Sequence, residues 1–512
     1  MSAYTTIPEL LHSGADDAVA IRAPLAQPLS YAALRRNTAA AVAALNAFGV
    51  GRRDRVAIVL PNGPQMASAF VGVAAAACAA PLNPGYRAEE FEFYLGDLNA
   101  KALIVEHGSE SAALAVADKL GILVLELLSS DEGAGAFRLR PLKADPAGLV
   151  AVPASEAAAG DLALILHTSG TTSRPKIVPL TQANVCASAR NVGASLRLDA
   201  ADTGLNIMPL FHIHGLIAGL LAPLAAGGAV FCTPGFNALK FFGWMQEAKP
   251  TWYTAVPTMH QTILSRAPQN SAVILANPLR FLRSSSASMP PQVIGELEAT
   301  FGAPLIEAYG MTEAAHQMAC NPLPPAVRVP GSVGLAAGPE VAIMDQQGQL
   351  LAAGETGEIV IHGANVTAGY ENNPKANAEA YVGQWFRTGD QGVMDEQGYV
   401  RITGRLKEII SRGGEKISPR EVDEILMDHP AVQQVVTFGI PHDKLGEDVG
   451  AAVVLHEGHS ASEKELREFA AVRLADFKVP RKIVFLDEIP KGATGKLQRI
   501  GLAEKLGLAA EK

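Results

Sequence analysis

The chain has 512 residues, a formal net charge of −9, and 48% hydrophobic against 18% charged residues. That length predicts about two to four domains. The balance excludes a disordered chain and a nucleic-acid binder, because neither the residues before Arg405 nor those from it onward are basic. Taken in chain order, residues 1–23 lack a basic start with a long apolar run, and the chain end carries no lipidation signal. A cytoplasmic location is therefore expected. The Ala-rich stretch 38–47 predicts part of a helix, 55–60 a short buried strand, 64–79 a second helix and 101–106 another strand. Strands at 162–168, 229–233 and 305–308 continue the alternation, which implies βαβ units and mostly parallel sheets. The apolar stretches 66–82 and 216–231 are broken by Gly and fall short of a span of about 20 residues, so buried helices are expected rather than membrane spans. Short strands at 341–344 and 357–362, set between Gly-rich turns, predict a small β-rich subdomain over about 333–402. A helix at 419–428, strands at 432–440 and 448–455 and a helix at 462–474 predict an α+β unit. The predicted fold class is α/β: a large N-terminal domain over 1–403, built of βαβ-type sheets with the β-rich subdomain, and a smaller α+β C-terminal domain over 404–512. Four scattered cysteines (Cys78, Cys186, Cys232 and Cys320) lack the paired spacing of a disulfide framework or a zinc site.

The strand at 162–168 runs into Thr168-Ser169-Gly170-Thr171-Thr172-Ser173-Arg174-Pro175-Lys176. Five hydroxyls, one Gly and two cations at a strand's C-terminal end suit a loop that wraps phosphates, with backbone N–H groups and hydroxyls on the oxygens and Lys176 as counter-charge. The spacing is neither the P-loop pattern nor a dinucleotide fingerprint, and a solvated Ser/Thr loop has the same composition.

This loop resembles the signature of the AMP-forming acyl-CoA synthetases, the acyl-adenylate-forming superfamily. Further motifs follow in that family's order: Tyr309-Gly310-Met311-Thr312-Glu313, Thr388-Gly389-Asp390, Gly404-Arg405-Leu406-Lys407 and Pro490-Lys491-Gly492-Ala493-Thr494-Gly495-Lys496. The resemblance covers nearly the whole chain. It implies an enzyme that uses ATP and Mg2+ to turn a carboxylic acid into an acyl-adenylate, releasing pyrophosphate, and then lets coenzyme A displace AMP. Such chemistry brings an anion to a polyanion and rests on positioning and cation placement.

The resemblance assigns Thr168, Ser169, Gly170, Thr171, Thr172 and Lys176 to the ATP phosphates. It places Glu307, Ala308 and Tyr309 around adenine and Thr312 on the α-phosphate. Asp390 and Arg405 are expected at the ribose, and Glu313 as the carboxylate associated with the metal. Lys496 is the expected adenylation lysine. Lys407 matches a hinge about which a mobile C-terminal domain turns between the half-reactions, and Arg412, Gly413 and Gly414 match the path of the CoA arm. His212 is expected to gate or position the acid.

The acyl pocket of the family lies between segments matching 208–215, 283–288 and the residues after Glu313. Here they carry His214, Ser284, Ser285, Ser286 and His316. Two imidazoles and several hydroxyls suit a second carboxylate better than a greasy tail. With Glu307-Ala308-Tyr309 and Arg412-Gly413-Gly414-Glu415-Lys416, they resemble the branch of the family that takes oxalate, so oxalate is the expected acid. Malonate and short- or medium-chain fatty acids are the alternatives within the class. A non-catalytic nucleotide-binding protein is the alternative outside it, and neither nucleic acid nor membrane is an expected partner.

Overall fold

Buried strands form where short β-branched or Leu-rich runs are flanked by helices that cover both sheet faces. A computed structural model describes residues 4–145, 148–168, 175–491 and 497–508. Of the expected site residues, Ser169, Gly170, Thr171, Thr172 and Lys496 lie outside those described.

Two large sheets form the bulk of the chain. One has seven strands: Arg55–Val59, Cys78–Pro81, Ala102–Glu106 and Leu123–Ser129 run parallel with Leu162–Thr168, and Phe137–Pro141 and Lys176–Thr181 pair antiparallel at the edges. The other has nine strands, with a parallel centre formed by Val19–Arg22, Ala229–Cys232, Thr203–Asn206, Trp252–Ala255, Phe281–Ser284 and Leu305–Met311. The helix Pro64–Ala76 is buried from Met66 onward, packed within one apolar core that joins both sheets.

The expected helix at 64–79 ends earlier than its composition implies. Ala77 is extended and Cys78–Pro81 is a strand between Arg55–Val59 and Leu162–Thr168, because sheet pairing overrides the helix preference of alanine. The apolar stretch at 216–231 is likewise composite. A π-helix, His214–Leu221, passes into Ala222–Ala225, turns at Gly227 and Gly228, and ends in the strand Ala229–Cys232.

A five-stranded sheet built on Thr356–His362 and Trp385–Met394 follows, closed on one side by Val400–Arg405. A further five-stranded sheet centred on Gly446–Leu455 and Val432–His442 packs the helices Pro419–Met427 and Glu463–Ala471 through Val422, Leu426, Leu466 and Ala470. Ser462 and Glu465 cap the second of these reciprocally. The fold is mixed α/β, with large sheets first and a smaller, mostly antiparallel sheet towards the C-terminus. All four cysteines are buried and unbridged. Among the described residues no helix is long and apolar enough to cross a membrane.

Candidate active site

The parallel strands Trp252–Ala255, Phe281–Ser284 and Leu305–Met311 lie side by side in the nine-stranded sheet, with Thr254 opposite Arg283 and Ser284 opposite Glu307. Carboxyl ends of parallel strands are where open α/β sheets build their sites.

Arg283 is fully buried in that row, a position where a cation ordinarily needs a counter-ion. Among the described residues its guanidinium has none. Nη1 donates to Thr254 Oγ1 and His214 Nε2, both at 3.3 Å. Nη2 donates to His316 Nε2 at 3.2 Å and to Gln317 Oε1 at 3.1 Å. Among the described residues Nε has no partner, nor has Ser284 Oγ on the next residue. Among the described residues no carboxylate faces the group. The acidic neighbour is the Cys320 thiol, which burial pushes up to about 11 and so keeps neutral. Burial draws the guanidinium down to about 10, which leaves it charged at neutral pH.

The two histidines stack at 4.9 Å between ring centroids, with 19° between planes. A guanidinium only donates, so each Nε2 that receives it is an acceptor and each ring a neutral Nδ1–H tautomer. His214 Nδ1 meets Ser286 Oγ at 3.1 Å, and its Nε2 also meets Thr254 Oγ1 at 2.6 Å. Three residues of this cluster, Ser286, Ala315 and His316, are non-glycine residues with φ of +77°, +47° and +107°. Strain of this kind collects where surrounding structure holds a site in shape.

His214 opens the π-helix, a form that recurs at functional sites. Asn206 at the end of its strand holds that helix: its Nδ2 donates to Gly215 O at 3.3 Å and its Oδ1 accepts from Met208 N at 3.1 Å. A Cβ on Gly219 would stand 2.7 Å from the Asn206 amide. Gly219→Ala is therefore expected to displace Asn206 and destabilise the protein by about 1–3 kcal/mol, read from the denaturant midpoint. His212, half-buried before the helix, accepts from His214 N at 3.4 Å.

A second cluster gathers most of the expected nucleotide residues. The Tyr309 hydroxyl donates to Asp390 Oδ2, and Asp390 Oδ1 lies 3.2 Å from Arg405 Nε across an antiparallel register pair. Burial first, then the Asp390 charge, holds the Tyr309 phenol well above its usual range. Thr312 begins a single 3-10 turn, and Glu313 beside it is buried, its Oε1 accepting from Tyr370 OH at 2.9 Å. Burial raises the Glu313 carboxyl, against the opposing pull of Arg405 and Lys176. Lys176 pairs with Thr168 at the mouth of the loop, and its Nζ lies 4.2 Å from the Tyr370 ring. Burial and the nearby Lys407 both lower its pKa.

Ala308 and Glu307 link the two clusters through the strand Leu305–Met311. The Ala308 carbonyl accepts from Ser285 Oγ at 3.0 Å, and Glu307 Oε2 accepts from Gly331 N at 3.2 Å. Burial pushes the Glu307 carboxyl up to about 8. The folded chain keeps a proton there that the unfolded chain loses above about 4.5, so stability falls as pH rises between those values. Glu307→Gln removes that fall. Its melting temperature relative to the parent should rise by at least about 2 °C between about pH 5 and pH 8.

Arg412, Gly413 and Gly414 belong to the C-terminal sheet instead. Ile410–Arg412 and Glu415–Ile417 form a hairpin whose two-residue loop is Gly413-Gly414, with φ of +60° and +98°, the pattern of a type I′ turn. Arg412 Nε pairs with Asp448 Oδ1 at 2.7 Å. Lys407 follows Leu406, whose N–H bonds Gly389 O at 2.9 Å.

Sequence reading included Arg283 in the 283–288 segment without giving it a role, and missed Gln317, Thr254, Asn206 and Tyr370. Only Arg283 carried a signal, as a lone cation between Phe281-Leu282 and Ser284 in a buried strand.

Comparison with known proteins gives a concordant picture. A model of the AMP-binding enzyme family matches residues 12–371, and one of its C-terminal domain matches residues 421–496. The chain is 47% identical to a probable CoA ligase, CCL9, of Humulus lupulus, over 93% of this chain and 91% of the relative. It is 45% identical to an oxalate–CoA ligase of Arabidopsis thaliana, over 88% of each. The solved structure of ATP-bound MatB from Rhodopseudomonas palustris superposes with a TM-score of 0.87 at 29% identity, over 98% of both chains.

Proposed function

The chain belongs to the AMP-binding enzyme family, and on that premise we propose that it joins a small dicarboxylic acid, oxalate, to coenzyme A through an acyl-adenylate. One carboxylate of the acid attacks the α-phosphorus of ATP and pyrophosphate leaves. The thiol of coenzyme A then attacks the acyl carbon and AMP leaves. The observation that carries the reading is the buried guanidinium of Arg283, which meets only neutral partners. Burying such a charge without a counter-ion is costly, and the second carboxylate of a diacid would supply one. Among the described residues Arg283 Nε–H has no partner, which leaves it as the donor for that carboxylate. His214 and His316 hold the guanidinium rather than the acid, and the polar wall disfavours a long apolar tail.

In this reading the Tyr309 ring lies against adenine, flanked by Glu307 and Ala308, and Asp390 with Arg405 receives the ribose hydroxyls. Thr168, Ser169, Gly170, Thr171, Thr172 and Lys176 surround the phosphates, and Thr312 bonds the α-phosphate. Glu313 suits Mg2+, which takes one or two carboxylates together with phosphate and water oxygens, and the Tyr370 bond to one of its oxygens leaves it able to serve. Bound there, the ion neutralises phosphate charge. Lys496 bridges the attacking carboxylate and the α-phosphate, and His212 orders the entrance to the acid site. Residues 404–512 turn about Lys407 between the half-reactions and bring Arg412, Gly413 and Gly414 to the CoA arm.

AMP release by the purified protein with ATP, Mg2+ and coenzyme A tests the reading across oxalate, malonate, acetate, octanoate and coumarate. Selective turnover with oxalate is expected. Turnover mainly with octanoate or coumarate overturns the diacid assignment and leaves family membership standing. Malonate ahead of oxalate keeps the charge argument and corrects the length of the acid.

A further inference from the structure

Every hydrogen-bond partner of the buried guanidinium is uncharged, and one of those partners differs from a counter-ion by a single atom. Among the described residues, the five N–H donors of Arg283 divide into four that meet Thr254, His214, His316 and Gln317, and the one on Nε that meets nothing. Gln317 is fully buried on the strand His316–Cys320. Its amide orientation is dictated by its surroundings. Nε2 donates to Asn191 O and Ala337 O at 3.3 Å and to Ser195 Oγ at 3.0 Å, and the two carbonyls can only accept. Oε1 is therefore the atom turned to Arg283, at 3.1 Å.

Glutamate has the shape of glutamine. At this position one carboxylate oxygen would face the guanidinium in a site closed to water, where an opposite charge interacts most strongly and offsets the cost of turning the other oxygen to the Asn191 and Ala337 carbonyls. The cation would then be compensated within the fold, and an arriving substrate would meet a neutral pair. We propose that Gln317 is the specificity-determining residue of the acid site. By staying uncharged it holds Arg283 in place while reserving its charge for the second anionic group of the substrate. It touches the guanidinium and not the reacting carboxylate, so it acts as a positioning residue. The inference rests on the diacid reading above.

The test compares kcat/KM for oxalate with that for glyoxylate and acetate, monoanions of similar size, by pyrophosphate release from the full chain. Gln317→Glu is expected to lower the preference for oxalate over the monoanions about 100-fold. Gln317→Met removes the bond without adding charge, so it should keep the preference within a few-fold and raise KM for oxalate. A merely structural role would move all the acids together in both variants. The inference is overturned if Gln317→Glu keeps the parent preference, or if Gln317→Met loses as much of it. Should Gln317→Glu not fold, Thr254→Asp places a carboxylate at the other side of the guanidinium, and the same loss is expected. A parent protein with no preference for oxalate over the monoanions overturns the diacid reading itself. A parent with that preference and an unchanged Gln317→Glu variant overturns only the role of Gln317.

Discussion

Arg283→Met should reduce kcat/KM for oxalate by about 30- to 5,000-fold while leaving KM for ATP close to that of the parent. Truncating one partner of a buried, hydrogen-bonded charge pair costs about 2–5 kcal/mol or more, and here the stranded partner would be the substrate's own carboxylate. The loss should fall on the acid because the guanidinium is bonded to His214, Thr254, His316 and Gln317, not to the Tyr309, Asp390 and Arg405 group. Arg283→Lys should recover little. An ammonium group lacks the planar fork that serves the acceptors of both Nη atoms, and with three N–H donors it leaves at least one of the four without its bond. Steady-state kinetics with oxalate and ATP varied in turn will decide. A variant within tenfold of the parent on oxalate would mean that the cation serves the fold and not the substrate.

The second large effect concerns the two half-reactions separately. Lys496→Ala should slow adenylate formation by about 100- to 1,000-fold, the scale expected when one positioned charge is removed from a developing transition state. Thioester formation from a supplied acyl-adenylate should stay near the parent rate, because the proposed role of the ammonium ends when pyrophosphate leaves. Pyrophosphate release and coenzyme A consumption, followed in separate assays, measure the two steps. Equal loss in both would remove Lys496 from the role assigned by its motif.

What was legible in the sequence follows from how local each signal is. The loop from Thr168 to Lys176 and the stretch from Tyr309 to Glu313 are contiguous, so composition and order disclose them. Their spatial union with Asp390 and Arg405 depends on a sheet register that no short window contains. His214 and His316 were legible as polar residues at the segments matched to the acyl pocket, and they do stack. Their ring nitrogens, however, turn towards Arg283, whose partners come from 29, 33, 34 and 69 residues away. A lone arginine in a strand becomes conspicuous only when neighbouring strands bury it completely. The helix expected at 64–79 was right as far as Ala76. Alanine serves helix and buried strand alike, so the boundary at Ala77 is set by pairing with Arg55–Val59 rather than by local preference. The Gly413-Gly414 pair was matched to the path of the CoA arm, and its conformation is that of a tight hairpin loop.

The antiparallel ladder that carries Asp390 and Arg405 stops almost at once: the Leu406 N–H reaches back to Gly389 O, and Lys407 is the next residue along the chain. A ribose seated on Asp390 would thus press on the last rung before the proposed pivot, with only two residues of lever between the sugar and the point of rotation. Filling and emptying the nucleotide site and swinging the terminal part of the chain would then be two readings of one joint, and no relay through the protein interior would be needed to keep them in step.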